Sequence, residues 1–284
     1  MMSVGIRRRV VRAASVVVVL VVVGGAVGPA RAQHDPQRNA TRLIAKGKFA
    51  AARTELGKGE PGEPETHFVA MMAALKQGRI EEGVERMRLA VAAGLPFGRL
   101  VAGPRDVLGP LYESEGYRKL AKQHGPADLV HGPMLGDVTD TAAAVWLRTA
   151  RASRIVILVR DLANRAIVLE AFGRTMPESD FTAVVRLTGL KPGQAYSYQV
   201  LVDGRPQKAE NTRFRTTATV GQPGKTRIVF GGGAGYVPIW ERMWDTIGKR
   251  KPDALLMLGD NVYIDAPTET LTARYCYYRR QSHP

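Results

Sequence analysis

Two short segments near the carboxyl end of the chain carry residues whose types and spacing suit chemistry. The first is Gly259-Asp260-Asn261-Val262-Tyr263. An aspartate carboxylate can ligate or bridge hard cations, and a tyrosine three residues later can bring a phenolate oxygen to the same ion. Trivalent iron would favour that phenolate. An ordinary aspartate that caps a turn after a strand has the same sequence, so both interpretations stand on these five residues alone.

The second segment is the glycine-rich run from Gly231 to Gly235, which is followed by Tyr236. Glycines let backbone amides approach a phosphate group at the start of a helix. A dinucleotide-binding motif would need a glycine in place of Tyr236, and no Gly-Lys-Ser/Thr follows, as a P-loop requires. We therefore predict no nucleotide or other organic cofactor at this turn.

Both segments follow short apolar runs that predict strands. Arg227 to Phe230 precedes the glycine turn, and Asp253 to Leu258 precedes Asp260. Pro238 to Lys249, between the two runs, has the pattern of a helix with proline in its first turn. A β-α-β unit places both segments at the carboxyl ends of parallel strands, where ligands bind in such folds. Residues 225–284 are thus predicted to begin an α/β domain.

Residues 127–219 predict an antiparallel sandwich. Short β-branched or aromatic runs with a period of two are separated by turn residues: Ala143 to Leu147, Ile155 to Val159, Thr182 to Leu187 and Tyr196 to Val202. The stretch from Leu190 to Tyr198 resembles a corner of a fibronectin type III domain, in which a tyrosine hydroxyl bonds back to the chain. We expect Trp146 to be the core tryptophan of an early strand. No paired carboxylates occur here, so this segment is predicted to be a scaffold or spacer.

Residues 33–125 predict helices with a weak repeat. The run from Ile44 to Phe49 recurs as Leu75 to Ile80, and a small residue, Ala52 or Gly83, lies three positions further on in each copy. This resembles a pair of tetratricopeptide-like helical hairpins. Because two such units are few for a free-standing solenoid, they are expected to pack against another part of the chain. The segment is either a spacer or the binding site for a protein partner.

Residues 1–32 have the three parts of a cleavable signal peptide. A basic stretch from Arg7 to Arg12 precedes an apolar run from Ala13 to Val23, and Ala30-Arg31-Ala32 suits cleavage before Gln33. The apolar run is shorter than the roughly 20 residues of a membrane span. The consecutive arginines also resemble a twin-arginine export signal. We expect a bacterial protein that is exported to the periplasm or the medium, with no membrane anchor after cleavage.

Composition narrows the possible partners. The 284 residues carry a formal charge of +15, and five arginines of the leader leave +10 for the rest, which favours anionic substrates. The basic residues are scattered, so we predict no nucleic-acid partner. The single cysteine, Cys276, is expected to be a buried small hydrophobe. His34, His67, His124 and His131 are each isolated in sequence and are expected to be surface or capping residues.

The order of these features resembles the alkaline phosphatase D (PhoD-like) family. The resemblance covers residues 129–284: Gly132-Pro133, the run from Val145 to Thr149, the Leu190 to Tyr196 corner, an apolar strand into a small-residue turn, and Gly259-Asp260 with Tyr263. Members of that family are secreted, calcineurin-like metallophosphoesterases with an immunoglobulin-like amino-terminal domain. The purple acid phosphatases are similar in the leading sandwich and in the Asp-x-x-Tyr element, and they stay a near alternative.

The resemblance implies a fold class and a chemistry. The chain would be multidomain: tetratricopeptide-like helices, then a fibronectin-like sandwich, then the start of a metallophosphoesterase domain. Asp260 would be a metal ligand that bridges two ions, Tyr263 would ligate Fe³⁺, and Ca²⁺ would be the companion ion. The reaction would be hydrolysis of a phosphate ester.

Two departures from the family limit what this chain is expected to do. The family carries a metal-binding cysteine in the turn after the first strand, where this chain has Gly231-Gly232-Gly233. The family also completes its site with an Asn-His element and histidine-rich turns, which do not occur before Pro284. We therefore expect a truncated chain that is inactive alone, and we assign no catalytic residue. The alternative function is that of an exported binding or scaffold protein, built from the helical repeats and the sandwich.

Overall fold

The computed structural model describes residues 35–60, 62–219, 221–233, 235, 242–266 and 268–282. The predicted signal peptide, residues 1–32, and His34 lie outside this described part, as does the start of the predicted Pro238 to Lys249 helix. In the ranges described, none of the helices combines the length and the apolar character that a bilayer span needs.

The amino-terminal part of the chain is helical, as predicted. Its helices are α1 (Pro36–Ala45), α2 (Phe49–Leu56), α3 (Pro64–Lys76), α4 (Ile80–Ala92), α5 (Phe97–Ala102), α6 (Arg105–Tyr112) and α7 (Glu115–His124). Gly47 and Gly78, the two equivalent glycines of the repeat, turn the chain between α1 and α2 and between α3 and α4. Both have a positive φ, of 70° and 72°, which a residue with a side chain adopts only at a cost.

A buried ion pair lies inside the helical region. Arg99 on α5 donates through Nε to Oε1 of Glu65 on α3 at 2.8 Å, and both side chains are fully buried. The guanidinium carbon of Arg99 also lies 3.9 Å from the ring centroid of Phe68. Paired charges with further hydrogen bonds can be buried at acceptable cost, whereas an unpaired one cannot. This pair therefore ties α5 to α3.

The strands of the next region form two antiparallel sheets. They are β1 (Leu129–Gly136), β2 (Ala142–Thr149), β3 (Ser153–Asp161), β4 (Ile167–Thr175), β5 (Thr182–Thr188), β6 (Ala195–Val202), β7 (Arg205–Pro206) and β8 (Arg213–Arg215). One sheet has the order β1-β2-β5 and the other β4-β3-β6-β7, with β8 on the remaining part of β6. Alternate side chains of both sheets meet in one apolar core, so the predicted antiparallel sandwich is confirmed.

Within the sandwich, one expectation holds and one is wrong. The Lys191 backbone amide donates to the Tyr196 hydroxyl at 2.8 Å, which is the predicted bond from a corner tyrosine back to the chain. Trp146, in contrast, is not a core residue. Val145 and Leu147 occupy the core face of β2, and side chains alternate along a strand, so Trp146 points to the outer face.

A small β-α-β unit follows the sandwich. β9 (Ile228–Gly231) and β10 (Ala254–Met257) pair in parallel, and α8 (Met243–Lys249) lies between them in sequence. Four apolar side chains of this strand pair are about half exposed: Ile228, Phe230, Leu255 and Leu256. Leu258, which follows β10, is 68% exposed.

The last helix, α9 (Thr270–Ser282), leaves this unit and packs on α1, α5 and β1. Tyr275 and Cys276 of α9 are buried in the core of the helical region, which confirms the buried cysteine and joins α9 to the helices from α1 onward. The expectation that His131 is a surface or capping residue is wrong. His131 is buried beside α9, with Nε2 3.1 Å from Oγ of Ser282.

Candidate metal site at the strand ends

The glycine turn after β9 and the aspartate turn after β10 meet at one edge of the strand pair. Because β9 and β10 are parallel and in register, their carboxyl ends lie side by side. A Cβ atom added to Gly232 would lie 3.1 Å from the carbonyl oxygen of Gly259. The absence of a side chain at Gly232 therefore permits this close approach of the two turns.

The structure brings the two predicted ligands together. The Tyr263 hydroxyl donates to Oδ2 of Asp260 at 3.2 Å. Asp260 is exposed and has a φ of 50°, in the left-handed region that aspartate tolerates better than most residues. The left-handed Asp260 follows Gly259, whose φ is 146°. This sharp turn places the carboxylate and the phenol on the same side of the segment.

The ring of Tyr263 lies against the glycine turn. A Cβ atom added to Gly235 would be 3.6 Å from Cε2 of the tyrosine, and one added to Gly233 would be 3.9 Å from its hydroxyl oxygen. Arg280 of α9 donates to the carbonyl oxygen of Gly235 at 3.1 Å. The glycine turn thus contacts the ring of Tyr263. The sequence motif had not indicated this contact.

The segment that contains Asp260 and Tyr263 also contacts the helical region. The sequence did not indicate these contacts. Arg38 on α1 pairs with Asp265 at 2.9 Å and donates to the carbonyl oxygen of Tyr263 at 3.3 Å. Val262 and Ile264 pack against the helical core. More than 220 residues separate Arg38 from Tyr263. No local pattern could have shown this contact.

The electrostatic surroundings keep Tyr263 protonated at neutral pH. Partial desolvation raises the pKa of Tyr263, and its hydrogen bond to Asp260 and the negative charges of Asp260 and Asp265 raise it further. A cation beside these carboxylates would offset their charge and favour the deprotonated phenol.

Asp260 and Tyr263 fit two of the oxygen ligands that a hard cation needs. Within the ranges described, no three His, Cys, Asp or Glu side chains come close enough to hold an ion between them. The glycine turn supplies no ligating side chain either. Asp260 and Tyr263 alone are fewer ligands than a hard cation takes, and we derive no catalytic step from them.

Comparison with known families gives one partial match. Residues 126–219 match the family model of a domain of unknown function, DUF7800. This range contains all eight strands of the sandwich. A search of curated protein sequences returned no match.

Several solved structures are similar to parts of this chain. A structure of PhoD is 17% identical over 52% of this chain and 35% of that chain, with a TM-score of 0.43. The chain thus spans about a third of that protein's length. The sensor domain of the anti-sigma factor RsgI4 from Pseudobacteroides cellulosolvens is 18% identical, with a TM-score of 0.26 over 33% of this chain and 97% of its own. The FN5 domain of Drosophila Lar is 18% identical, with a TM-score of 0.25 over 33% of this chain and 99% of its own.

Proposed function

We propose that this chain is the amino-terminal portion of an exported, metal-dependent phosphoesterase of the alkaline phosphatase D type. One observation carries the proposal: Asp260 and Tyr263 meet each other and the glycine turn at the carboxyl edge of a parallel strand pair. Ligands bind at this edge in α/β folds, and both side chains offer the hard oxygen ligands that such an enzyme requires. The order of segments that resembles the family supports the same function.

In this proposal Asp260 and Tyr263 would hold the metal centre, Asp260 as a ligand to both ions and Tyr263 as the ligand to Fe³⁺, with Ca²⁺ as the companion ion. When bound, such a pair of ions polarises a phosphoryl group and activates water or a hydroxyl group at neutral pH. The protein's own part is to position the two oxygens. The hydrogen bond from the Tyr263 hydroxyl to Asp260 holds these two oxygens next to each other.

The substrate in this proposal is a phosphate ester, and the net charge of +10 outside the leader favours an anion of this kind. Export through the leader would place the mature chain in the periplasm or the medium. The purple acid phosphatase type is the near alternative. An acidic pH optimum of the enzyme would favour it.

The test begins with the genomic sequence beyond codon 284, where we expect an Asn-His element and histidine-rich turns. The protein expressed from that sequence should be recovered in the exported fraction, begin at Gln33, and contain iron and calcium. We expect Asp260→Asn to lose both ions and Tyr263→Phe to lose the visible phenolate-to-iron absorption, while Asp245→Asn, an exposed acidic residue on α8, keeps them. Metal analysis that finds neither ion in the unmodified protein would refute the proposal.

The second candidate function is that of an exported binding protein. It is favoured by the way α9 joins the helical region to the sandwich, because this produces a continuous body without any need for a metal. The partner would be a protein that binds the helical region. An exported, folded protein that holds no iron or calcium and hydrolyses neither 4-nitrophenyl phosphate nor its diester would support this function over the first.

A further inference from the structure

An open pocket of about 290 Å³ lies between α9 and the outer face of the β1-β2-β5 sheet. One face of α9, from Thr270 to Gln281, forms one wall, and Trp146, Arg148 and Thr182 belong to the other. The volume is near the lower end of the ~300–1,000 Å³ that is usual for small-molecule sites. A molecule of one or two rings suits this size. The pocket does not include Asp260 or Tyr263.

Aromatic and apolar side chains give the pocket and its rim an unusual exposed surface. Trp146 pairs across the sheet with Met134 on one side and Val184 on the other, so the three form a row on the outer face. Val184 is 61% exposed, and Tyr277, which lines the pocket from α9, is 51% exposed. Exposed aromatic surface beside a concave site is typical of ligand binding.

The floor of the pocket is fixed and its charges are paired. Arg148 donates to Asp180 Oδ1 at 3.0 Å, to the Asp180 carbonyl at 2.9 Å and to the Ala102 carbonyl at 3.0 Å. Tyr278 donates to the other carboxylate oxygen of Asp180 at 2.5 Å. Both oxygens of Asp180 are thus engaged, and its charge is offset by Arg148. A ligand would meet a floor that needs no rearrangement.

The wall formed by α9 holds a cation with unused donors. Arg274 contacts Asp106 through Nη1 at 3.3 Å, and both side chains are substantially exposed, which makes this a weak pair. Its Nε and Nη2 groups have no hydrogen-bond partner among the described residues. His131 adds no charge at neutral pH, because burial and the nearby arginines lower its pKa to about 3. Arg148 is thus paired with Asp180 inside the pocket, whereas the partner of Arg274, Asp106, is exposed and lies outside the lining.

We propose that this pocket binds a small aromatic carboxylate, whose ring packs on Trp146 and Tyr277 and whose carboxylate pairs with Arg274. A purely ionic ligand would leave the aromatic walls in water, and a neutral ring would leave the Arg274 donors without an acceptor. Charge-assisted, bidentate pairs of arginine with a carboxylate are the strong ones. This inference does not rest on the proposed function, since the pocket and the strand-end site share no residue.

The test is calorimetric titration of the purified chain with indole-3-acetate and with its neutral counterpart indole-3-ethanol. We expect indole-3-acetate to bind with a Kd below about 1 mM and indole-3-ethanol to bind about tenfold more weakly, because it lacks the charge-assisted pair. Arg274→Gln should weaken indole-3-acetate about tenfold and leave indole-3-ethanol unchanged. Tyr277→Ala should weaken both ligands. All the substituted side chains are partly exposed, so the variants should fold, which circular dichroism will verify.

The matched control is Arg186→Gln, which removes an exposed arginine that pairs with one aspartate, Asp137, at 2.8 Å on the same sheet. It should bind both ligands as the unmodified chain does. Three results would overturn the proposal: no binding of indole-3-acetate, equal binding of the acid and the alcohol, or unchanged binding of the acid to Arg274→Gln.

Discussion

Replacing Arg279 with methionine should destabilise the folded chain and change how its stability depends on pH. Arg279 on α9 is 3% exposed. Its Nη1 donates to Asp35 Oδ1 at 3.1 Å, Nη2 pairs with the other carboxylate oxygen, and the guanidinium carbon lies 4.9 Å from the ring centroid of Tyr275. Asp35 is also the N-cap of α1. One side chain thus connects the last helix of the chain to the first.

The expected loss at neutral pH is about 3–5 kcal/mol, because methionine keeps most of the apolar stem but leaves Asp35 as a buried charge without its main partner. Removing one member of a buried pair costs far more than the pair itself contributes. A loss of this size is a large fraction of the roughly 5–15 kcal/mol that stabilises a typical folded domain.

The pH dependence follows from the pKa of Asp35. Burial alone would raise this pKa, but Arg279 and then Arg38 lower it below the ordinary value of 3.8. In the unmodified chain, Asp35 therefore contributes its full stabilisation at pH values above its ordinary pKa of 3.8. This stabilisation is lost as the pH falls through the lower pKa that Asp35 has in the folded state. Without Arg279 the effect of burial is opposed only by Arg38, so the pKa rises and protonation relieves the destabilisation. The stability difference between the two proteins should narrow as the pH falls.

The assay is urea unfolding followed by circular dichroism for both proteins, at several values between about pH 7 and pH 4. Arg118→Met is the control, since it removes an exposed helix arginine that pairs with exposed Glu113 at 3.0 Å. It should change the free energy of unfolding by less than about 0.5 kcal/mol at every pH. The reasoning is refuted if Arg279→Met costs less than about 1 kcal/mol at neutral pH, or if its cost is the same at every pH.

One further substitution tests the tyrosine corner of the sandwich, and one chemical reaction tests the burial of Cys276. Tyr196→Phe should lower the free energy of unfolding by about 0.5–1.5 kcal/mol, because it removes the hydroxyl that accepts the part-buried hydrogen bond from the Lys191 amide. The exposed Tyr277→Phe should change it little, and equal effects in urea unfolding would contradict this account of the corner. Burial raises the pKa of the Cys276 thiol to about 11, so iodoacetamide should alkylate the native chain far more slowly than the urea-unfolded chain at mildly alkaline pH. Equal rates would show that α9 does not protect this thiol.

The helical region and the sandwich could be predicted because their signals are local. Glycines between apolar helical stripes predict helical hairpins, and apolar residues at every second position predict strands. Neither pattern depends on which other elements pack against these helices and strands. The same locality explains the error at Trp146. Val145, Trp146 and Leu147 are all apolar, so alternation alone does not tell which face of β2 is buried, and the answer depended on the neighbouring strands.

The role of α9 could not be predicted for a different reason. The buried face of α9 contains Tyr275, Cys276 and Tyr278, and also Arg279. A charged residue such as Arg279 is predicted to face solvent when only its neighbours in sequence are considered. Arg279 is buried because Asp35, at the other end of the described chain, offsets its charge. The prediction that His131 is a surface or capping residue was wrong for the same reason. Its ring is buried beside α9, and its polar partner, Ser282, belongs to that helix.

The strand-end site combines both kinds of information. Asp260 and Tyr263 are only three residues apart, so their proximity is local, but the segment is also held by Arg38 on α1, which contacts Asp265 and the Tyr263 carbonyl. Asp260 and Tyr263 are thus positioned by the fold, and under the proposed function this would reduce the conformational entropy that ion binding must overcome. This gives the helical region a role that a spacer would not have. It forms the support on which the Asp260 to Tyr263 segment is held.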